Sequence, residues 1–323
     1  PLLIALARRF DAPVAAADGG KGAFPEDHPL SLGTALGGRV WGDNPVQEYI
    51  ASCDAALVVG SSLPFRSTKG VDLDLPGDLV QIDIDSGVFG RNYPVKVGLA
   101  GDAKHVLTVL LDAVKTPRHA PAEQKVALAQ TQAAIRESVE RQFPNELRVW
   151  EAIRGNIDRD AVVLCDSTIP GYVATRCFQA LEPRTFHHPH GWVSIGYSFA
   201  ASLGAKTGAP DRQVVCVTGD GGFQYNVQEL ASAKQYGIAP IVLVFNDNAW
   251  GVLQRYQDTR FGGRHFATEL SNPDFKALAA AYGVDYALVR NVAELSAALR
   301  NAKGRDTLQL IEVLTPVGIA NFT

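Results

Sequence analysis

The sequence predicts an α/β protein with two domains, each a doubly wound parallel sheet. Strand-like apolar runs alternate with helical patterns along the chain. The later runs, such as residues 241–245, are apolar throughout, as in strands whose two faces are both covered by helices. A length of 323 residues also exceeds that of a typical single domain, so we expect two.

The first domain is expected over residues 1–114. The chain opens on an amphipathic helix with no strand before it, and it contains no methionine, so we expect this domain to be truncated at its amino-terminal end. Two prolines interrupt the pattern in residues 115–121, and a helix is predicted over 122–141, so 115–141 is interpreted as a linker and connecting helix. The predicted elements of the first domain are a helix at 2–10, strands at 13–16, 55–59 and 79–84, and a helix at 103–114.

The second domain is expected over residues 142–323. Its strands are continuous apolar runs separated by helical patterns, which is the arrangement of a parallel sheet. Ligands of such sheets bind at the carboxyl ends of the strands. The predicted strands are 161–165, 214–218, 241–245, 286–289 and 308–313.

Charge and composition exclude several partners. A net charge of −4 and a pI near 6.0 argue against nucleic acid and anionic membranes. No run approaches the roughly 18 apolar residues of a membrane span. The four cysteines lie far apart without a CxxC pair, which favours free thiols and a cytoplasmic protein.

Two polar clusters follow neighbouring predicted strands, at 219–222 and 246–251. Mg²⁺ binds about six oxygens, often from one or two carboxylates together with phosphates. Asp220 and Asp247 can supply carboxylates, and the Ala249 carbonyl a third protein ligand. Glycines at 219, 221 and 222 are interpreted as removing side chains where a diphosphate must come close. A helix expected to begin near 224–226 can direct backbone N–H groups at the diphosphate.

The spacing of these clusters carries a family resemblance. Gly-Asp-Gly at 219–221 is followed after 24 residues by Asn246 and Asp247, which resembles the signature of thiamine-diphosphate-dependent enzymes. The flanking stretches 222–224, 227–231 and 235–237 are similar to acetolactate synthases. The chain is thus identified as a member of the acetolactate synthase, pyruvate decarboxylase and benzoylformate decarboxylase superfamily. Asp247 stands where the family usually has Asn, so Asn246 or Asn248 is an alternative ligand.

The resemblance implies two Rossmann-like domains, the second with the thiamine-diphosphate-binding fold, and it implies roles for further residues. The stretch 190–205 is similar to the family segment that bends the cofactor, with Ile195 as an apolar wedge and the Val193 carbonyl accepting from the aminopyrimidine. Packing in the core is the alternative for Ile195. The implied cofactor-binding residues are Asp166, Ser167, Thr168, Val193, Ile195, Gly219, Gly221, Gly222, Phe223, Ala249, Gly251 and Val252, and the implied metal ligands are Asp220, Asp247 and Ala249.

The helix expected after the metal loop is similar to the family's active-site helix. By this resemblance Leu253, Arg255 and Tyr256 face substrate, with helix packing as the alternative. Acetolactate synthases have Gln and Trp at positions 255 and 256, so a relative with another substrate is favoured. Three histidines at 187, 188 and 190 lie too close in sequence to converge on zinc and are interpreted as structural, with an acid or base near substrate as the alternative.

The resemblance implies an enzyme that uses thiamine diphosphate and Mg²⁺ to cleave or form a C–C bond of a 2-oxo acid, as a decarboxylase or an acetolactate-synthase-like carboligase. It further implies a homodimer or homotetramer in which a neighbouring subunit's pyrimidine domain supplies a glutamate. FAD or ADP in the first domain is possible in the family, and an empty domain is expected. A catalytically silent or split-subunit cofactor-binding protein, and a Rossmann-type nucleotide binder, are the alternatives.

Overall fold

Apolar runs of four to six residues become parallel strands in both halves of the chain. The computed structural model describes residues 1–34, 45–64, 73–319 and 322. It divides into two units, Pro1–Gln142 and Phe143–Thr323. Every pairing between strands within the described parts of the two sheets is parallel, which confirms the predicted α/β class.

The first unit contains a three-stranded parallel sheet in the order β1-β2-β3. Helix α4, expected as part of a connection, packs within this unit, where Leu128 joins Leu32 and Val46 in a buried cluster. The elements are α1 Leu2–Phe10, α2 Val46–Ala51, β1 Ala55–Val59, β2 Asp78–Asp83, β3 Val97–Ala100, α3 Ala103–Ala113 and α4 Ala122–Gln142.

The strand predicted at 13–16 is wrong. The stretch is extended, but within the described residues it forms only an isolated bridge, between Val14 and Ser31. Its backbone bonds with a neighbouring loop, through Val14 N–H to the Leu30 carbonyl at 2.8 Å. Pro13 also lacks an N–H, which shortens the ladder available to this segment.

The second unit contains a six-stranded parallel sheet. Strand β7 is buried at every position, as expected for a strand covered on both faces. The elements are α5 Pro144–Gly155, β4 Val162–Cys165, α6 Ile169–Cys177, β5 Phe186–His187, α7 Tyr197–Gly208, β6 Val214–Gly219, α8 Asp220–Gln224, α9 Glu229–Tyr236, β7 Ile241–Asn246, α10 Gly251–Phe261, α11 Phe275–Tyr282, β8 Asp285–Val289, α12 Val292–Ala302 and β9 Gln309–Leu314.

The order of this sheet, β5-β4-β6-β7-β9-β8, contains a switch point. The chain leaves β4 toward β5 on one side and then returns to form β6 on the other side. Connections diverge at such a point, which opens a crevice at the carboxyl ends of the two central strands. The topology therefore places a binding site after β4 and β6.

The core beneath this edge is aromatic and aliphatic. Phe199, Phe223 and Phe275 pack in one buried cluster together with side chains of β6, β7 and α9. Burying each such side chain stabilises the fold by about 1.5–3 kcal/mol. Among the described residues, no helix has the length and apolar character needed to cross a membrane.

Candidate cofactor site

A cavity of about 220 Å³ opens at the switch point. The segments after β4, β6, β7 and β9 line it together with the stretch before α7. The lining residues are Asp166, Ser167, Thr168, Ile169, Pro170, Tyr172, Val193, Ile195, Gly219, Asp220, Gly221, Gly222, Phe245, Asp247, Ala249, Trp250, Gly251, Val252, Leu253, Tyr256, Thr315 and Ile319. All but two of the residues expected to bind cofactor, metal or substrate are in this set.

Asp220 is the first residue of α8 and is 2% exposed. Its Oδ1 accepts from the Gly221 N–H at 2.9 Å, and its Oδ2 accepts from Asn272 Nδ2 at 2.6 Å. Burial raises the pKa of this carboxyl, and the donors from Asn272 and Gly221 oppose that shift. The helix expected to begin near 224–226 in fact begins at Asp220 and lasts five residues, so it presents only one turn of N–H groups.

Asp247 lies on the loop after β7. Asn248 adopts a left-handed conformation with φ 54°, which Asn tolerates better than most residues and which turns the loop back on itself. The Ala249 N–H then donates to Asp247 Oδ1 at 3.2 Å. Burial, followed by the charge of Asp220, raises the pKa of Asp247 to about 7. Two carboxylates that repel each other inside a cavity form an arrangement that a cation stabilises.

Glycines let these loops approach closely. A Cβ at Gly251 would lie 2.5 Å from Asp247 Oδ2, and one at Gly222 would lie 2.9 Å from Asp166 Oδ2. A Cβ at Gly221 would meet the Trp250 ring at 2.6 Å. Gly221 and Gly222 both line the cavity, and the protein's own side chains occupy the space where their Cβ atoms would lie, so the expected contact of these glycines with a diphosphate stays a prediction.

Asp166 forms hydrogen bonds with the segment before α7, with β6 and with its own loop after β4. It is fully buried, and its carboxylate accepts from the Gly196 N–H at 2.9 Å, the Thr218 hydroxyl at 3.1 Å and the Ser167 N–H at 2.8 Å. The Ser198 hydroxyl lies at 3.5 Å. Burial raises the pKa of this carboxyl, and the donors oppose that shift. Its side chain therefore anchors the segment before α7 to the tips of β4 and β6.

The segment anchored by Asp166 has an unusual backbone. Val193 has φ 57° and Gly196 has φ 85°, and the left-handed region is costly for a β-branched residue such as Val. The Ser167 hydroxyl donates to the Val193 carbonyl at 3.1 Å, which helps to hold this turn. Ile195 is 44% exposed and lines the cavity, so packing in the core does not describe it.

Two expected site residues point elsewhere. Phe223 is fully buried in the core beside Phe199, because α8 turns its side chain inward. On α10, Val252, Leu253 and Tyr256 line the cavity, but Arg255 does not and instead acts electrostatically on Glu146. Arg255 is separated from Leu253 by about 200° around the helix, so the two cannot share a face.

Several site residues were not expected from the sequence. Trp250 and Tyr172 line the cavity, and Asn272 contacts Asp220 from a loop that follows α10. Tyr172 and Asn272 carry no local pattern that marks a site, and Trp250 lies within the polar cluster 246–251 without a role having been assigned to it. Within the described parts of the chain, no group of three or more His, Cys, Asp and Glu side chains is placed to hold a metal ion.

The histidine cluster lies beside the site. The His188 ring is 5.4 Å from the Tyr172 ring and 4.5 Å from the His190 ring. Burial, followed by the charge of His190, lowers the pKa of His188 to about 3. Across the described residues, neither ring nitrogen of His188 has a hydrogen-bond partner.

His188 is expected to make stability depend on pH. The folded state keeps the ring neutral down to about pH 3, while the unfolded chain takes up a proton below its ordinary pKa of 6.5. Protons therefore favour unfolding, and this group should remove about 1.4 kcal/mol of stability per pH unit as the pH falls below 6.5. Urea unfolding at pH 6.5 and 4.5 should show a smaller pH dependence for His188→Phe than for the wild type. The control His105→Phe, at an exposed ring, should keep the larger dependence, and an unchanged dependence in His188→Phe contradicts the assignment.

The second unit is a doubly wound domain, and buried carboxylates lie on the loops that follow the strands at its switch point. Such a site is typical of a cofactor-binding protein. Two family models match the chain and together cover more than half of it. One is described as thiamine pyrophosphate enzyme, central domain, over residues 1–110, and the other as thiamine pyrophosphate enzyme, C-terminal TPP binding domain, over residues 168–313. The chain belongs to the thiamine pyrophosphate enzymes.

Curated relatives agree with this family. A probable 2-ketoarginine decarboxylase of Pseudomonas aeruginosa is 34% identical over 96% of this chain and 55% of its own length. A probable acetolactate synthase large subunit of Methanocaldococcus jannaschii is 28% identical over 97% of this chain and 54% of its own length. The acetolactate synthase large subunit of Haemophilus influenzae is 30% identical over 87% of this chain and 50% of its own length. The chain thus spans about half the length of these relatives.

Proposed function

We propose that the second unit binds thiamine diphosphate through a divalent cation, Mg²⁺, at the switch-point cavity. The observation that carries the proposal is the pair of carboxylates, buried Asp220 and half-buried Asp247, which follow adjacent strands and line one cavity. Burial, followed by the charge of Asp220, raises the pKa of Asp247 to about 7, and a hard cation between the two carboxylates would remove their repulsion. The Ala249 carbonyl and the oxygens of the diphosphate would complete the coordination.

The choice of Asp247 over its neighbours is supported by the loop. Asp247 lines the cavity, whereas Asn246 and Asn248 do not appear among its described lining residues. Asn246 Nδ2 donates to Glu312 at 2.7 Å, and the side-chain oxygens of Asn246 and Asn248 accept from Asn272 Nδ2 at 3.0 Å and 3.1 Å, so both amides are already engaged within the protein. We therefore assign the second carboxylate ligand to Asp247.

The remaining lining residues would hold the cofactor and face substrate. The backbone at Ser167, Thr168 and the glycines after β6 lies where a diphosphate would rest. The Val193 carbonyl already accepts from Ser167 and has a second lone pair for an amino group of the cofactor. Ile195 would support the bent cofactor, while Leu253 and Tyr256 of α10, which line the same cavity, would contact substrate.

We propose a 2-oxo acid as the substrate class, with decarboxylation favoured over acetolactate synthesis. Bound thiamine diphosphate accepts the electron pair released when the bond to a carboxylate carbon breaks. Support for decarboxylation comes from the 34% identical relative named as a probable 2-ketoarginine decarboxylase and from Tyr256, which lines the cavity and stands where acetolactate synthases have Trp. We further propose a homodimer or homotetramer in which a pyrimidine domain of a neighbouring subunit contributes the glutamate, and a first unit without bound FAD or ADP.

Titration calorimetry tests the binding proposal. Thiamine diphosphate should bind the chain in the presence of Mg²⁺ and lose its affinity when EDTA is added, while thiamine, NAD, FAD and ADP should give no heat. Under this proposal the 323 residues alone should not turn over pyruvate, benzoylformate or 2-ketoarginine, because the activating glutamate would come from the pyrimidine domain of a neighbouring subunit. Addition of a chain bearing the pyrimidine domain should restore release of CO₂ from one of these acids. Binding of NAD in place of thiamine diphosphate contradicts the proposal.

Gly251→Ala should weaken Mg²⁺-dependent binding of thiamine diphosphate by about tenfold. The added Cβ would lie 2.5 Å from Asp247 Oδ2 and push that carboxylate out of place, a disturbance worth about 1–3 kcal/mol. Calorimetry on the purified variant measures the change. Gly208→Ala, on α7 where a Cβ meets nothing within 4 Å, is the matched control and should bind as the wild type does.

A further inference from the structure

A buried carboxylate on β9 faces the loop that follows β7. Glu312 is 9% exposed, and its Oε1 accepts from Asn246 Nδ2 at 2.7 Å. Its Oε2 accepts from the Tyr286 hydroxyl at 2.5 Å. Glu312 is paired in register with Val244 of β7, two residues before Asn246. The Glu312 carboxylate therefore lies below the loop 246–251 and outside the lining of the cavity.

Glu312 determines how the Asn246 amide is oriented. An ionised carboxylate only accepts hydrogen bonds, so Asn246 must present its NH₂ group to it. The amide oxygen of Asn246 then faces the opposite way, where it accepts from Asn272 Nδ2 at 3.0 Å and from the Asn248 N–H at 3.1 Å. The orientation of one amide thus follows from a charge on a neighbouring strand.

Asn272 connects the Asn246 amide to Asp220 of the proposed metal site. Its NH₂ group is surrounded by acceptors, since Nδ2 lies 2.6 Å from Asp220 Oδ2 and 3.1 Å from Asn248 Oδ1. Its own oxygen accepts from Gln224 Nε2 at 2.7 Å, so the amide cannot reverse without losing bonds on both sides. The chain of hydrogen bonds from Glu312 therefore ends on a carboxylate oxygen of Asp220.

We infer that Glu312 is a positioning residue for the cation, acting through the amides of Asn246 and Asn272 to hold the Asp220 carboxylate in its binding orientation. This inference rests on the proposed function. Without the acceptor on β9, the Asn246 amide loses the group that fixes its direction, and an NH₂ turned toward Asn272 would displace the donor to Asp220. Outer partners of metal ligands typically contribute a 10–100-fold change in metal affinity.

The test compares variants on the same strand. Glu312→Leu removes the acceptor, whereas Glu312→Gln keeps an oxygen for Asn246 and can donate to the Tyr286 oxygen. Gln309→Leu removes a second buried polar side chain of β9, one that bonds with Asp285. Asn272→Ala removes the last link from a partly exposed loop, where loss of folding is not expected. Binding of thiamine diphosphate to the full 323-residue chain is followed by calorimetry as Mg²⁺ is varied, with thermal melting in parallel.

We expect the Mg²⁺ concentration for half-maximal binding to rise 10–100-fold in Glu312→Leu and Asn272→Ala. It should stay within about threefold of wild type in Glu312→Gln and Gln309→Leu, even where Gln309→Leu lowers the melting temperature. The double variant of Glu312 and Asn272 should be no weaker than the weaker single variant, because both act along one chain of bonds. Unchanged Mg²⁺ dependence in Asn272→Ala, or an equal loss in Gln309→Leu, overturns the inference. Failure of the wild-type chain to bind at all overturns the proposed function instead.

Discussion

Replacing Asp220 with Asn is expected to weaken Mg²⁺-dependent binding of thiamine diphosphate by at least about 100-fold. Loss of a direct carboxylate ligand should exceed the 10–100-fold effect of an outer partner. The variant keeps the size of the side chain and removes one charge from a site that holds buried Asp220 and half-buried Asp247. Calorimetry at saturating Mg²⁺ measures the loss.

The charge change in this variant has a second expected consequence. Asp247 no longer faces the Asp220 carboxylate, so the repulsion that helps raise the pKa of Asp247 disappears. Relief of that repulsion should offset the loss of one of the two acceptor oxygens that Asp220 offers to Gly221 and Asn272, so folding stability without Mg²⁺ should change little while binding is lost. Asp211→Asn removes an exposed carboxylate of the same unit and should change neither property. Retained binding in Asp220→Asn would falsify the assigned metal site.

Replacing Asp166 with Leu is expected to have the largest effect on stability, lowering the free energy of unfolding by roughly 3 kcal/mol or more. The Gly196 N–H, the Thr218 hydroxyl and the Ser167 N–H would all lose their acceptor. A buried donor left without a partner costs about 1–3 kcal/mol. Relief of the burial of a charge, which raises the pKa of this carboxyl, offsets part of this loss.

Urea unfolding at pH 7 measures the effect. Asp166→Asn keeps one acceptor oxygen and should lose less stability than Asp166→Leu, and Asp211→Leu, at an exposed position, should stay within about 0.5 kcal/mol of wild type. Hydrogen exchange at Gly196 should also accelerate in Asp166→Leu, because the segment before α7 loses its anchor. Equal stability of the Leu variant and the wild type contradicts the anchoring role.

Much of the fold could be predicted from local patterns. Helix α1 and strand β1 were predicted at their observed bounds, and each strand of the second sheet that was predicted lies within one residue of its observed position. Such patterns depend on residues close in sequence, so composition and periodicity suffice. The strand predicted at 13–16 was wrong because this apolar segment pairs with a loop and not with a strand of the sheet.

The cavity could be predicted in part. Asp220, Asp247 and Ile195 line it as expected, because parallel strands bring their carboxyl ends to one edge. Arg255 and Phe223 lie outside the cavity lining, since a family motif indicates a segment and does not determine which way each side chain points. The glycines at 221 and 222 were read correctly as sites of close approach, but the approaching groups are Trp250 and Asp166.

By itself, the sequence determined the α/β class, the polar loops after two neighbouring strands and the thiamine pyrophosphate family, since each depends on short patterns and fixed spacings. The tertiary structure alone decided that burial and the charge of Asp220 raise the pKa of Asp247 to about 7, and that Glu312 reaches Asp220 through two amides. These properties depend on distances of a few ångströms between segments far apart in the chain. Such distances are set by how the strands and loops pack, which no local pattern records.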